Sequence, residues 1–155
     1  MSLQSATSSK VTIETHGCKL NQADSTTIAN QFTNAGYVLS EDIKSSEYFV
    51  LNTCTVTHIA DRKARKSIRN AKRTNPDIKI IVTGCYAESA PKILKDMPEV
   101  DHVIGNKNKT GLFNNLLNFD LKNNKSTPVN PITNKSRLMV KIQEGCDQIC
   151  AYCII

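Results

Sequence analysis

Short apolar runs rich in β-branched residues alternate with helical patterns, and this alternation constrains the fold more than any other feature of the sequence. The apolar runs are residues 48–51 (YFVL) and 78–82 (IKIIV), and residues 11–15 (VTIET) and 102–104 (HVI) are further strand candidates. The helical patterns are residues 21–35, 59–73, 91–97 and 110–119. Strands that alternate with helices predict right-handed crossovers and a parallel sheet with helices on both faces. We therefore expect a doubly wound α/β domain.

Composition divides the chain into four parts. Residues 1–9 form a polar leader that we expect to be disordered, and residues 10–121 form the α/β domain. Residues 122–136 are polar and contain two prolines, which is typical of a linker. Residues 137–155 begin a second unit with a strand candidate, RLMVKI, and stop soon afterwards. This pattern predicts a piece of a longer protein, cut at the first loop of its second domain.

No part of the chain predicts export or membrane insertion. The leader lacks an apolar segment, and no run approaches the roughly 18 consecutive apolar residues that a membrane span needs. We therefore expect a cytoplasmic protein without a membrane partner. Thiols stay reduced in that compartment, so the six cysteines predict metal binding rather than three disulfides.

Three widely spaced cysteines each follow a predicted strand: Cys18 in VTIETHGC, Cys54 in FVLNTC and Cys85 in IIVTGC. The carboxyl ends of parallel strands lie along one edge of a sheet, and ligands bind in the crevice there. We therefore expect these three thiols to converge. Gly17 and Gly84 precede two of them, as expected where the backbone turns tightly or lies close to a bulky group.

Three thiolates without a fourth ligand suit an iron-sulfur cluster with one open iron, whereas structural zinc prefers four protein ligands. His58 is a candidate for a fourth ligand, and the alternative is a solvent-exposed histidine at a helix start. The three cysteines themselves have an alternative interpretation as unrelated buried thiols, because free cysteine often packs as a small apolar residue.

The other three cysteines, Cys146, Cys150 and Cys153, form a C-x3-C-x2-C run. These short spacings let one loop hold a single cubane cluster through three thiolates, leaving one iron open. S-adenosylmethionine can bind and be cleaved at such an iron, which supplies radical chemistry. Zinc is the alternative here too, although zinc loops usually pair two C-x2-C units or add histidines.

One predicted helix accounts for the positive charge of the chain. The segment from residue 62 to 73, RKARKSIRNAKR, has seven basic residues and no acidic one, so the net charge of +6 becomes −1 without it. Helical spacing places four of the basic residues on one stripe: Arg62, Lys66, Arg69 and Arg73. The opposite face is apolar and suits packing on the sheet. The stripe could contact a phosphate backbone, and the alternative is an ordinary solvated helix face.

The segments THGCKLNQAD, VLNTCTVT, VTGCYAES and KIQEGCDQICAYCII resemble the methylthiotransferases of the radical S-adenosylmethionine superfamily. The segments NTCTVT and IQEGC are most similar to those of the MtaB branch, which acts on N6-threonylcarbamoyladenosine at position 37 of tRNA. Sister branches act on isopentenyladenosine in tRNA and on an aspartate of a ribosomal protein.

This resemblance implies a flavodoxin-like amino-terminal domain in which Cys18, Cys54 and Cys85 hold an auxiliary [4Fe-4S] cluster. It also implies that Cys146, Cys150 and Cys153 hold the radical-generating [4Fe-4S] cluster at the start of a radical barrel. The implied reaction is transfer of a methylthio group to adenine C2, with S-adenosylmethionine as cofactor.

The implied partners are tRNA, through its anticodon-loop adenosine, and an electron donor such as a flavodoxin or ferredoxin. No catalytic residue is assigned beyond the cluster ligands, and the chain alone is expected to be inactive. The alternatives are an isopentenyladenosine methylthiotransferase and a non-enzymatic metal-binding α/β module that binds RNA or a protein partner.

Overall fold

A computed structural model of the chain describes residues 9–55, 58–106, 108 and 112. Within them the strands are β1 (Lys10–Thr15), β2 (Val38–Leu39), β3 (Tyr48–Thr53), β4 (Lys79–Gly84) and β5 (His102–Ile104). The helices are α1 (Lys19–Asn34), α2 (His58–Thr74), α3 (Cys85–Ser89) and α4 (Pro91–Lys95), and a 3-10 turn spans Ile43–Ser45.

The five strands form one parallel sheet in the order β2-β1-β3-β4-β5. This is one of the two common orders of doubly wound sheets. The chain first places β2 on one side of β1 and then crosses to place β3 on the other side. The direction of winding therefore reverses between β1 and β3, and the crevice at such a reversal is where open α/β sheets bind ligands.

Both faces of the sheet are covered, as the continuous apolar strands predict. All six residues of β3 are buried, and they alternate between the two sides. Phe49 and Leu51 belong to a core cluster with Ala64, Ile68 and Ala71 of α2. Val50, which lies between them on β3, packs in a second cluster on the other face with Ile28 and Phe32 of α1. This cluster also includes Val11 of β1 and Ile81 of β4.

The alternation predicted from the sequence is confirmed, with differences at the ends of elements. Strand β3 continues through Asn52 and Thr53, which are polar yet fully buried. Strand β2 and helix α3 were not predicted, because two residues and five residues are too short to show a period. The predicted helix at residues 110–119 lies outside the described residues except for Leu112. The predicted linker and second unit lie outside them too, so those boundaries stay predictions.

None of the described helices is long and apolar enough to cross a membrane.

Candidate functional site

Three cysteines lie at the carboxyl ends of three neighbouring strands. Cys54 directly follows β3 and Cys85 directly follows β4, and the last residues of these strands, Thr53 and Gly84, are paired in the sheet. Cys18 follows β1 by three residues and caps the amino terminus of α1. All three are free thiols, with Cys18 exposed and the other two half-buried. We call this edge of the sheet, with Cys18, Cys54 and Cys85, the cysteine edge.

Gly17 brings the Cys18 loop against Cys54. Its φ of +113° is in the region that favours glycine. A Cβ at this position would lie 2.6 Å from Cys54 Cβ and 3.2 Å from Cys54 Sγ, so no side chain fits there. The loop after β1 and the loop after β3 therefore touch at the point where the winding of the sheet reverses.

Gly84 allows β4 to end against β3 immediately before Cys85. Its φ of +96° and ψ of −166° belong to a region that essentially only glycine adopts. A Cβ there would lie 2.3 Å from Thr53 O and 2.7 Å from Asn52 Oδ1. Both glycines that the sequence singled out therefore lie where the backbone makes a close contact, as predicted.

Two buried asparagines tie the loops of the cysteine edge together. Asn21 Nδ2 donates hydrogen bonds to His16 O at 2.8 Å and to Thr53 O at 2.9 Å, the carbonyl oxygens just before the Gly17 and Cys54 positions. Asn52 Nδ2 donates to Asn21 O at 2.7 Å and to Ser25 Oγ at 2.9 Å. The sequence suggested that either asparagine could hydrogen-bond a cluster or its substrate, but neither was assigned to the site, because asparagine is as commonly a turn or cap residue.

A histidine, a carboxylate and a hydroxyl connect β1 to α2 beside the same edge. Glu14 Oε1 accepts hydrogen bonds from His16 Nε2 at 2.5 Å and from Ser67 Oγ at 2.8 Å. The hydrogen bond from His16 lowers the pKa of Glu14 below its ordinary value, and the bond from Ser67 lowers it further, against the opposing effect of burial. His16 is buried, and its Nδ1 has no hydrogen-bond partner among the described residues.

The residues of the cysteine edge fit an iron-sulfur cluster in their chemistry. Three free thiols follow adjacent strands. At Gly17 and Gly84, just before two of these cysteines, no Cβ fits, so the backbone can pack closely against its neighbours. Within the described part of the chain, no three His, Cys, Asp or Glu side chains form a group that could hold a metal ion. A [4Fe-4S] cluster differs from a single ion because each thiolate binds a different iron. His58 is the first residue of α2 and is exposed, which agrees with its interpretation as a solvent-exposed histidine at a helix start.

The basic segment forms α2, and its apolar side packs on the sheet as predicted. Ala64, Ile68 and Ala71 are buried. The four residues of the predicted stripe are exposed: Arg62, Lys66, Arg69 and Arg73. The remaining three cysteines, Cys146, Cys150 and Cys153, lie outside the described residues.

Residues 10–105 match the profile of a family described as "Uncharacterized protein family UPF0004". The chain belongs to this family. The UPF0004 match covers the whole described sheet and all three cysteines of the cysteine edge. Cys146, Cys150 and Cys153 lie beyond it.

Curated relatives of this UPF0004 chain are tRNA methylthiotransferases. The chain is 36% identical to the threonylcarbamoyladenosine tRNA methylthiotransferase MtaB of Aquifex aeolicus, over 94% of its own length and 39% of the relative. It is 35% identical to MtaB of Bacillus subtilis, over 94% of its length and 35% of the relative. It is 29% identical to a tRNA-2-methylthio-N(6)-dimethylallyladenosine synthase of Thermodesulfovibrio yellowstonii, over 94% of its own length and 37% of the relative. The chain thus spans between a third and two fifths of these relatives.

Proposed function

We propose that this chain is part of a tRNA methylthiotransferase that modifies C2 of N6-threonylcarbamoyladenosine at position 37. The observation that carries the proposal is the cysteine edge, where three free thiols follow three adjacent parallel strands at the reversal of the sheet. The similarity to MtaB proteins, at 35 to 36% identity for the two named above, supports the choice of substrate.

In this proposal Cys18, Cys54 and Cys85 hold an auxiliary [4Fe-4S] cluster, and Cys146, Cys150 and Cys153 hold a second one that binds S-adenosylmethionine. When bound, these groups supply the sulfur and the radical that the methylthio transfer requires. The role of the α/β domain is to hold three thiolates toward the crevice with their loops fixed from behind. Asn21 contributes to this role because its side chain hydrogen-bonds to both the Cys18 loop and the Cys54 loop.

The proposal requires a tRNA with an accessible anticodon-loop adenosine and a one-electron donor, such as a flavodoxin or ferredoxin, in the cytoplasm. The basic stripe Arg62, Lys66, Arg69 and Arg73 is the part of the described surface that suits contact with tRNA phosphates. A second candidate substrate is the dimethylallyl (isopentenyl) adenosine, because the relatives that act on it are also similar to this chain, at 29 to 33% identity.

Deletion of the gene that encodes the chain, followed by mass spectrometry of tRNA nucleosides, tests the proposal. We expect the methylthio form of N6-threonylcarbamoyladenosine to disappear and its precursor without the methylthio group to accumulate. Restoring the wild-type gene should return the mark, whereas a gene with Cys18→Ala should not. Loss of the methylthio mark from dimethylallyladenosine would favour the second candidate. Unchanged methylthio nucleosides would contradict the enzyme assignment and favour the non-enzymatic metal-binding module.

A further inference from the structure

The seven basic residues of α2 have different surroundings along the helix. In the second half, Arg69 and Lys72 contact neighbouring elements near the amino ends of the strands, whereas Arg73 is exposed. Lys72 Nζ donates a hydrogen bond to Ile78 O at 2.8 Å, just before β4 begins. Arg69 Nε lies 3.8 Å from Glu99 Oε1, which partly neutralises its charge.

The first half of α2 lies beside the cysteine edge. The helix begins at His58, four residues after Cys54, and runs back along the sheet toward the start of β4. Thr55 Oγ1 donates to Asp61 Oδ1 at 2.8 Å, which joins the residue after Cys54 to the first turn of the helix. One turn further along, Arg65 Nη1 donates to the hydroxyl of Tyr86 at 2.6 Å, next to Cys85.

Three cations of this first half remain available to an external anion. Arg62, Lys63 and Lys66 are exposed, and none of them forms a salt bridge with another described residue. Lys63 also lies close enough to Glu14 to contribute to the lowered pKa of that carboxyl, so its charge is shared with the domain. Arg65 lies between these cations in the sequence, and its guanidinium contacts the hydroxyl and the ring of Tyr86, which attaches α2 to α3. We call Arg62, Lys63 and Lys66 the edge cations. They lie within five consecutive residues, so they present a local positive charge on the half of the helix that begins beside the cysteine edge.

We propose that the edge cations bind the phosphate backbone of the RNA substrate beside the reacting base, and that the second half of α2 serves mainly to attach the helix to the domain. This inference rests on the proposed function. A base that enters the crevice at the cysteine edge brings its flanking phosphates beside the helices that begin there, and α2 is the one of these helices with a run of exposed cations in its first half. Cations beside the edge therefore contribute more to binding than equal charges at the far end of the same helix. It therefore replaces the four-residue stripe of the proposed function with the edge cations: Lys63 is added, and Arg69 and Arg73 are left with a minor share in phosphate binding.

Two double variants of the 155-residue chain test the inference, because each removes two positive charges from the exposed surface of α2. Arg62→Gln/Lys66→Gln changes the edge cations, and Arg69→Gln/Arg73→Gln is the matched control at the far end. Binding to an unmodified tRNA transcript is measured by fluorescence anisotropy over a series of salt concentrations. We expect the first variant to bind roughly tenfold more weakly at 100 mM salt and to lose about 2 from the slope of log affinity against log salt. The control should lose well under half of that slope.

A charge-preserving variant, Arg62→Lys/Lys66→Arg, should restore the slope, and circular dichroism should be the same for all variants. An equal or larger loss in Arg69→Gln/Arg73→Gln would overturn the placement of the phosphates while leaving tRNA as the substrate. Absence of salt-dependent tRNA binding by the wild-type chain would overturn this inference, whereas the proposed function is tested separately by the tRNA nucleosides of the deletion strain. Binding to anionic lipid vesicles in place of tRNA, with the same dependence on Arg62 and Lys66, would assign the edge cations to a membrane surface instead.

Discussion

Gly84→Ala is expected to destabilise the domain by about 4 kcal/mol or more, a large part of the total stability of a domain of this size. Two effects add at this position. The φ of +96° with a ψ of −166° is strained for any residue with a side chain. In addition, the new methyl group would lie 2.3 Å from Thr53 O and 2.6 Å from Thr53 N, which are backbone atoms of a fully buried strand and cannot move alone. Urea unfolding followed by circular dichroism measures the change in the free energy of unfolding.

Gly36→Ala is the matched control for this prediction. Gly36 also has a positive φ, of +90°, but a Cβ there meets no atom within 4 Å. Its substitution therefore carries the conformational penalty alone, roughly 1 to 2 kcal/mol. The difference between the two variants measures the cost of separating β3 from β4 at the cysteine edge. If Gly84→Ala were no more destabilised than Gly36→Ala, the close contact of Gly84 with Thr53 would be wrong.

Asn21→Ala is expected to lower the free energy of unfolding by about 2 to 4 kcal/mol. The side chain is buried and donates both of its amide hydrogens, to His16 O and to Thr53 O. Its removal takes the shared donor from two carbonyl oxygens in a site where water cannot readily replace it. The Cys18 and Cys54 loops would also lose the bond that connects them, so we expect iron binding at the cysteine edge to weaken in parallel.

Asn30→Ala provides the comparison, since it is the same substitution in the same helix at a half-buried position with no described side-chain hydrogen bond. Alanine favours helices more than asparagine does, so this variant should be neutral or slightly stabilised. Similar unfolding free energies for the two variants would show that the buried amide of Asn21 does not hold the loops together. Urea unfolding under reducing conditions gives both values.

The sequence was sufficient to predict that Cys18, Cys54 and Cys85 follow strands at one edge of the sheet, because one rule of parallel sheets decides it. Strands β3 and β4 are continuous apolar runs with β-branched residues, so their ends could be located within two residues. Once the strands are parallel, residues that follow them necessarily share an edge. The apolar face of α2 followed in the same way from helical spacing.

The polar residues behind the cysteines could not be predicted in the same way. Asn52 and Thr53 look like the start of a loop, yet both are completely buried as the last residues of β3. Their burial depends on partners from α1 and β4, such as Ser25 and the carbonyl oxygen of Thr83, that lie 27 and 30 residues away along the chain. No local pattern records such pairings. The same holds for the contact of Arg65 with Tyr86, which distinguishes a structural cation from its exposed neighbours.

The most direct test of the central claim is the metal content of the chain after anaerobic reconstitution with iron and sulfide. Wild type is compared with Cys18→Ala, Cys54→Ala, Cys85→Ala and, as a control at the other cysteine group, Cys150→Ala. We predict that each of the first three variants loses the same set of about four irons and four sulfides, and that Cys150→Ala retains this set. Iron content that does not change in the first three variants would contradict the claim that Cys18, Cys54 and Cys85 hold one cluster together. One zinc per chain without sulfide under strictly anaerobic conditions would contradict it too.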